Sequence, residues 1–302
     1  MTGGSFEEMT KMRKAIVSLA VVACACAALA VERASAKPGV KATVCGAEQP
    51  RIDSHWKGKK VAFLGDSITD RNHVGCRRNY WNFLPEELGI DAYVYGRNGW
   101  QMGGTYGVQK QAAQLKAEMG DEVDAIFVFA GTNDYNSNVP LGEWFSVAET
   151  NVCRGGPPVK VRRRQLLLDD KTFRGRINIL LAYLKREFPR QQVVLMTPIH
   201  RAFAQFSPKN VQPDESYSNA LGLFVDDYVQ AVREAGSVWS VPVIDLFADS
   251  GLYPCEPAQA MFFHDAKTDM LHPNTDGQRR MALILQYRML ALPSDFKACA
   301  KE

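Results

Sequence analysis

None of the seven cysteines lies in a CxxC pair or in a Cys/His cluster at metal-ligand spacing, which excludes a structural zinc site of the usual kind. Charge of one sign is also scarce. A formal net charge of +3 over 302 residues demands neither nucleic acid nor an anionic membrane as a partner. There is no low-complexity stretch and no internal repeat, so neither a disordered tract nor a repeat array organises the chain. What is present suits a core. Hydrophobic residues make up 46% and aromatics 10%, enough for one large core or two small ones.

The first 36 residues differ from the rest. Lys11, Arg13 and Lys14 precede an apolar run from Ala15 to Val31 that only Ser18 interrupts, and Ala34-Ser35-Ala36 follows. A basic start, an apolar middle and a small-x-small end predict an export signal over residues 1–36 and a periplasmic or extracellular protein. The run is short for a membrane span and lacks a basic stop, so no transmembrane span is expected in the mature chain. Val21-Val22-Ala23-Cys24 offers a second route, in which Cys24 is lipidated and anchors the chain. Glu7 and Glu8 are unusual ahead of such a basic segment and make Met9 or Met12 candidate starts. Beyond the signal lie Cys45, Cys76, Cys153, Cys255 and Cys299, an odd number that leaves at least one unpaired in a monomer. Spacing does not fix their pairing.

After a polar tail over 37–56, short apolar runs alternate with helical patterns. Strands are predicted at Lys60–Leu64, Ala92–Tyr95, Ala125–Ala130, Gln192–Met196 and Val241–Leu246. Helices are predicted from Tyr80 to a stop at Gly89, over Val108–Met119, Thr172–Phe188 and Glu215–Ala235, and after a cap at Asn274 or Thr275. Five apolar strands alternating with helices predict one α/β domain over 57–295, a doubly wound parallel sheet with helices on both faces. Residues 296–302 read as a C-terminal tail. Residues 135–170, with Gly155-Gly156-Pro157-Pro158 and the basic run from Lys160 to Arg164, break the rhythm and read as a long insertion.

Chemistry-bearing residues follow four of these strands. Ser67 follows the first, in Gly65-Asp66-Ser67, where Asp66, Ser67 and Thr69 also suit a helix start. Gly99 lies in the glycine-rich turn after the second, Asn133 after the third, and Asp269 with His272 after the fifth. In a doubly wound sheet these positions share one edge. A serine hydroxyl needs an adjacent base, which His272 supplies, and Asp269 three residues earlier reaches back to hold the imidazole. The amides of Ser67 and Gly99 and the side-chain amide of Asn133 are candidate oxyanion donors. His200 and Arg201, after the fourth strand, are candidate substrate contacts with Asp66, Trp100 and Tyr135. Asp66, Asp70 and Asp134 also read as caps and braces. His73 and His264 read as loop or surface residues. Tyr106 and Trp144 are further loop aromatics.

Gly65-Asp66-Ser67, the Gly99 turn, Gly131-Thr132-Asn133-Asp134 and Asp269-Met270-Leu271-His272-Pro273 resemble the four blocks of the SGNH (GDSL-type) hydrolase family, in order and with fitting spacing. The resemblance implies a flavodoxin-like three-layer α/β/α fold and ester hydrolysis without metal or cofactor. It implies Ser67 as nucleophile, Asp269 and His272 as its partners, and Gly99 and Asn133 as oxyanion residues. Gly103 and Gly104 share the second-block turn, but Gly99 matches the family's glycine better in its distance from the strand. Thr69 stands where a Gly-x-Ser-x-Gly elbow would place its second glycine, so the ordinary α/β-hydrolase reading is disfavoured. The expectation is an exported serine esterase acting on acetyl or other short acyl esters of a small molecule or glycan. A lipid or thioester acylhydrolase, a sugar O-acyltransferase and a catalytically silent glycan-binding protein are the alternatives.

Overall fold

The computed structural model describes residues 54–297. The export-signal and lipidation expectations, most of the 37–56 tail, Cys45, Cys299 and the last five residues lie outside them. The chain runs β1 (Lys60–Gly65), α1 (Tyr80–Leu88), β2 (Asp91–Val94), α2 (Val108–Met119), β3 (Ala125–Phe129) and the short α3 (Thr132–Asn136). A hairpin of β4 (Phe145–Val152) and β5 (Val159–Leu166) follows, then α4 (Phe173–Glu187) and β6 (Gln192–Met196). A second hairpin, β7 (Ala204–Ser207) and β8 (Asn210–Gln212), leads to α5 (Val225–Trp239), β9 (Val243–Ile244) and the short α6 (Leu246–Asp249). A 3₁₀ helix (Pro257–Phe262), β10 (Phe263–Asp265), β11 (Asp269–Pro273) and α7 (Thr275–Leu290) complete the described elements.

The main sheet has the order β2-β1-β3-β6-β9, with every neighbouring pair parallel. This is the flavodoxin-like order expected from the sequence, and the order reverses between β1 and β3. Successive side chains of a strand point to opposite faces. Val61, Phe63, Phe127 and Phe129 pack with α1 and α7, while Ala62, Leu64, Ile126 and Val128 pack with α2, α4 and α5. Because both faces are covered, the strands read as unbroken apolar runs rather than alternating ones.

Several boundaries differ from the sequence reading. No helix starts at Ser67. Asp66–Thr69 form a turn, and the first helix begins only at Tyr80. There Asn79, Asn82 and Gln278 satisfy the local N–H groups, Asn82 Oδ1 accepting from Asn79 N and Gln278 Oε1 from Tyr80 N. The predicted Glu215 helix starts ten residues later, at Val225. Asn219 Oδ1 accepts the N–H groups of Leu221 and Leu223, which holds a turn there instead, and Asp227 Oδ2 accepts Phe224 N–H at the true start. The fifth strand shrinks to two residues because Asp245 caps α6 with its side chain. Trp56 belongs to the core rather than to a tail. It is fully buried, and its Nε1 donates to Met289 O at 2.6 Å.

The 135–170 insertion is mostly the β4–β5 ribbon, paired over eight residues a side and exposed along nearly its whole length. An antiparallel second sheet, β10-β11-β7-β8, was not expected. It turns the predicted loop around Asp269–Pro273 into a buried strand. Among the described residues no helix is long and apolar enough to cross a membrane. Cys76, Cys153 and Cys255 form no disulfide among those residues.

Candidate active site

β1 delivers the chain into the Asp66–Asp70 turn at the carboxyl edge of the sheet. Asp66 Oδ1 accepts Ile68 N–H at 3.0 Å, and the carbonyls of Asp66 and Ser67 accept the N–H groups of Thr69 and Asp70. Asp70 then ties this turn to the next. Its Oδ1 accepts Asn72 N–H at 2.8 Å and its Oδ2 accepts Asn98 N–H at 2.6 Å, one residue before Gly99. Asp134, in α3 just past β3, does the same from the other side. Its Oδ2 accepts Met102 N–H and its Oδ1 accepts from Arg176 Nη1, both at 2.8 Å. The braces expected of Asp70 and Asp134 are therefore present, and they lock three strand-end turns together.

The second sheet supplies the remaining groups. β11 is buried, and Asp269 and His272 on it are 5% and 3% exposed. Asp269 Oδ1 accepts His272 N–H at 3.0 Å, so the carboxylate folds back on the residue three positions later. His272 Nδ1 lies 2.9 Å from Asp269 Oδ2 and 3.0 Å from Oδ1. Its Nε2 lies 2.8 Å from Ser67 Oγ, and Ser67 is 3% exposed. A continuous hydrogen-bonded path thus joins a hydroxyl, an imidazole and a carboxylate across a separation of 205 positions between Ser67 and His272. Burial alone would raise the Asp269 carboxyl. Hydrogen bonds from the ring and backbone N–H of His272, with one from His264, outweigh that and hold it below its ordinary value.

Unspent donors face the same edge. Among the described residues the N–H groups of Ser67 and Gly99 donate to no protein acceptor. Gly99 has φ +76° and no heavy atom within 4 Å of where a Cβ would stand, so the backbone there is open to a ligand. Asn133 gives one amide hydrogen to Trp100 O at 2.9 Å, which seats its side chain against the Gly99 turn and leaves the second hydrogen free. Trp100 is half-buried in that turn, with its ring 5.4 Å from the Arg97 guanidinium.

Three of the suggested substrate contacts are buried beneath the site, and a fourth lines another cleft. Arg201 is 1% exposed, and its guanidinium donates to Thr132 Oγ1 and Gln212 Oε1. Burial brings its pKa down to about 10. Tyr135 is buried, and its hydroxyl donates to Tyr217 O. Asp66 is buried behind Ser67, where burial pushes its carboxyl up to about 7. These three brace the edge from beneath. His200 pairs with Glu215 at 2.6 Å, in a separate cleft of about 800 Å³ with Tyr253 and Cys255.

Two residues near the site had no sequence signal. Phe206, exposed on β7, packs its ring 5.4 Å from that of His272. The unforeseen second sheet puts it there. His264 reads in sequence as a loop histidine, yet its Nδ1 lies 3.0 Å from Asp269 Oδ2.

The model of the GDSL-like Lipase/Acylhydrolase family matches residues 63–280. No curated protein sequence matches the chain. Among solved structures, a protein from Lactobacillus plantarum is 27% identical with a TM-score of 0.61, covering 78% of this chain and 99% of that one. A possible lipase from Chitinophaga pinensis DSM 2588 is 20% identical with a TM-score of 0.55, again covering 78% of this chain and 99% of its own, a likeness of fold. The family match begins inside β1 and ends inside α7, so it takes in Ser67, Gly99, Asn133, Asp269 and His272 together. The chain belongs to the GDSL-like lipase/acylhydrolase family and is a hydrolase of that family.

Proposed function

We propose that the protein hydrolyses carboxylic esters through an acyl-enzyme on Ser67. The observation that carries this is the Ser67–His272–Asp269 path of hydrogen bonds in a buried site, opposite three unspent N–H donors. Ser67 Oγ attacks the ester carbonyl while its proton passes to His272 Nε2. Asp269 holds the imidazole by Nδ1–H and stabilises the imidazolium. The carbonyl oxygen, now an anion, takes hydrogen bonds from Ser67 N–H, Gly99 N–H and Asn133 Nδ2. Collapse expels the alcohol, which takes the proton from His272. Water then attacks the acyl-serine by the same route, giving the acid and restoring the hydroxyl. The donor at Ser67 belongs to a turn, so no helix dipole contributes.

For substrate we favour a short acyl group, such as acetyl, on a small polar alcohol or glycan. In support, a polar cleft of about 240 Å³ lies beside the Gly99 turn, lined by Asp70, Arg71, Arg97, Gln114 and Glu118. The basic-then-apolar N-terminus supports an exported enzyme. The test is hydrolysis of p-nitrophenyl acetate and butyrate by the wild type and by Ser67→Ala. Turnover by the wild type alone, with phosphonate labelling of Ser67, is expected. Equal inactivity of both proteins with Ser67 unlabelled sinks the reading. Chain-length preference separates a short-acyl esterase from a lipid acylhydrolase, and acetylated glycans with and without an acceptor sugar separate hydrolysis from transfer.

A further inference from the structure

The carboxylate of Asp269 is not held by His272 alone. β10 and β11 form a tight antiparallel hairpin in which Asp265 pairs with Asp269. Asp265 Oδ1 closes the turn by accepting the N–H groups of Lys267 at 2.8 Å and Thr268 at 2.9 Å. That register sets His264 beside the carboxylate, with Nδ1 3.0 Å from Oδ2. The same Oδ2 lies 2.9 Å from His272 Nδ1. One oxygen therefore sits between two imidazoles, while Oδ1 takes the backbone N–H of His272. A carboxylate only accepts, so each ring must present a hydrogen at Nδ1. A second feature brings the loop at Gly75 against both histidines. Gly75 has φ +76°, and a Cβ there would stand 2.8 Å from His272 Cβ and 3.1 Å from His264 Cβ. Only a residue without a side chain lets this loop press on both histidines at once.

We propose that His264 is a positioning residue of this site: its Nδ1–H holds Asp269 Oδ2 and so sets how much of that carboxylate's charge reaches His272. The proposal rests on the serine-esterase reading for its kinetic consequence, and on the hydrogen-bond geometry alone for its structural one. The His264 side chain is 54% exposed. It borders a cleft of about 640 Å³ where His73, Cys76, Arg77 and Asp276 also stand. Asp265 is its neighbour in sequence, and Asp269 and His272 face it from β11. A second donor draws electron density from the carboxylate, so losing it leaves Asp269 a stronger partner for an imidazolium at His272.

His264→Phe keeps a ring and removes the donor. His264→Asn restores a donor at nearly the same reach. With p-nitrophenyl acetate, the acid limb of the kcat/KM profile is expected to move to higher pH by about half a unit in the Phe variant. The plateau value is expected to fall about tenfold, as when an outer partner that orients a first-contact ligand is lost. The Asn variant should bring both back toward the wild type. A residue serving only to hold the hairpin would lower activity without moving the limb. An acid limb that stays in place in the Phe variant, or that the Asn variant does not restore, overturns the proposal. A readout free of turnover is the low-field proton resonance of His272 Nδ1–H, expected to shift in the Phe variant and return in the Asn variant. If the wild type turns over no ester, the esterase reading falls while this resonance still decides the role of His264; a resonance unmoved by the Phe variant overturns that role on its own.

Discussion

Asp66 stands next to Ser67 with its Oδ2 buried and without a partner among the described residues. Burial pushes its carboxyl up from 3.8 to about 7. The folded chain therefore keeps a proton there that the unfolded chain releases at lower pH. Stability from this group is fullest below about pH 3.8, declines as the pH rises toward 7 and is flat beyond. Asp66→Asn removes that decline. Its stability relative to the wild type is expected to be greater at pH 8 than at pH 4, by up to about 4 kcal/mol, as read by urea unfolding at the two pH values. Asn133 makes a different kind of prediction. Its amide is anchored by Trp100 O and offers its second hydrogen to an oxyanion. Asn133→Ala should lower kcat roughly 100- to 1000-fold with little change in KM, checked by steady-state kinetics on p-nitrophenyl acetate. Ser67 and Asn133 are legible in the sequence because each carries chemistry just past an apolar run, and Asp269 and His272 because a carboxylate and an imidazole stand three residues apart. Arg201 and Tyr135 were misplaced because adjacency to a strand end does not say which way a side chain turns. Both turn inward, to Thr132, Gln212 and Tyr217.

At the scale of elements, the apolar strands of the main sheet and most of the helices match the sequence reading within a residue or two, since burial on both faces and cap residues leave plain traces; the helix at Val225 is the exception, starting ten residues late. Asn274, for example, accepts the N–H groups of Asp276 and Gly277 at the head of α7, as its type and place suggest. The second sheet left almost no trace. Its strands are three to five residues long, and β7 and β8 are largely exposed. Too few alternations occur to set a period. The β4–β5 ribbon was seen as an interruption but not as strands, because neither of its faces is buried and so no apolar pattern marks it. Its side chains pair mainly with one another, as Lys160 does with Glu149 and Arg164 with Phe145. It therefore adds little to the core. Replacing residues 145–166 with a short Gly/Ser linker is expected to leave Tm within about 3 °C and p-nitrophenyl acetate turnover within about twofold. Thermal unfolding and initial rates check this, and a collapse in either means that the ribbon supports the domain.

Over the whole molecule, the order reversal between β1 and β3 opens a crevice at one edge of the sheet, where Ser67, Gly99 and Asn133 follow the strand ends and β11 of the second sheet brings in Asp269 and His272. The opposite edge is closed differently. His55 Nε2 lies 2.7 Å from Leu292 O, Trp56 Nε1 donates to Met289 O, and Lys59 pairs with Asp295. Trp56 also packs against Phe127 of the central strand. A chain begun at residue 54 keeps all of these contacts. Beginning at residue 58, and so losing Trp56, should cost about 3–5 kcal/mol, measured by urea unfolding. The closed edge has a further consequence. The first and last described residues emerge side by side, at the end of β1 and α7 remote from Ser67. A chain begun at residue 54 can therefore be tethered to a support at either end with the attachment point kept away from Ser67.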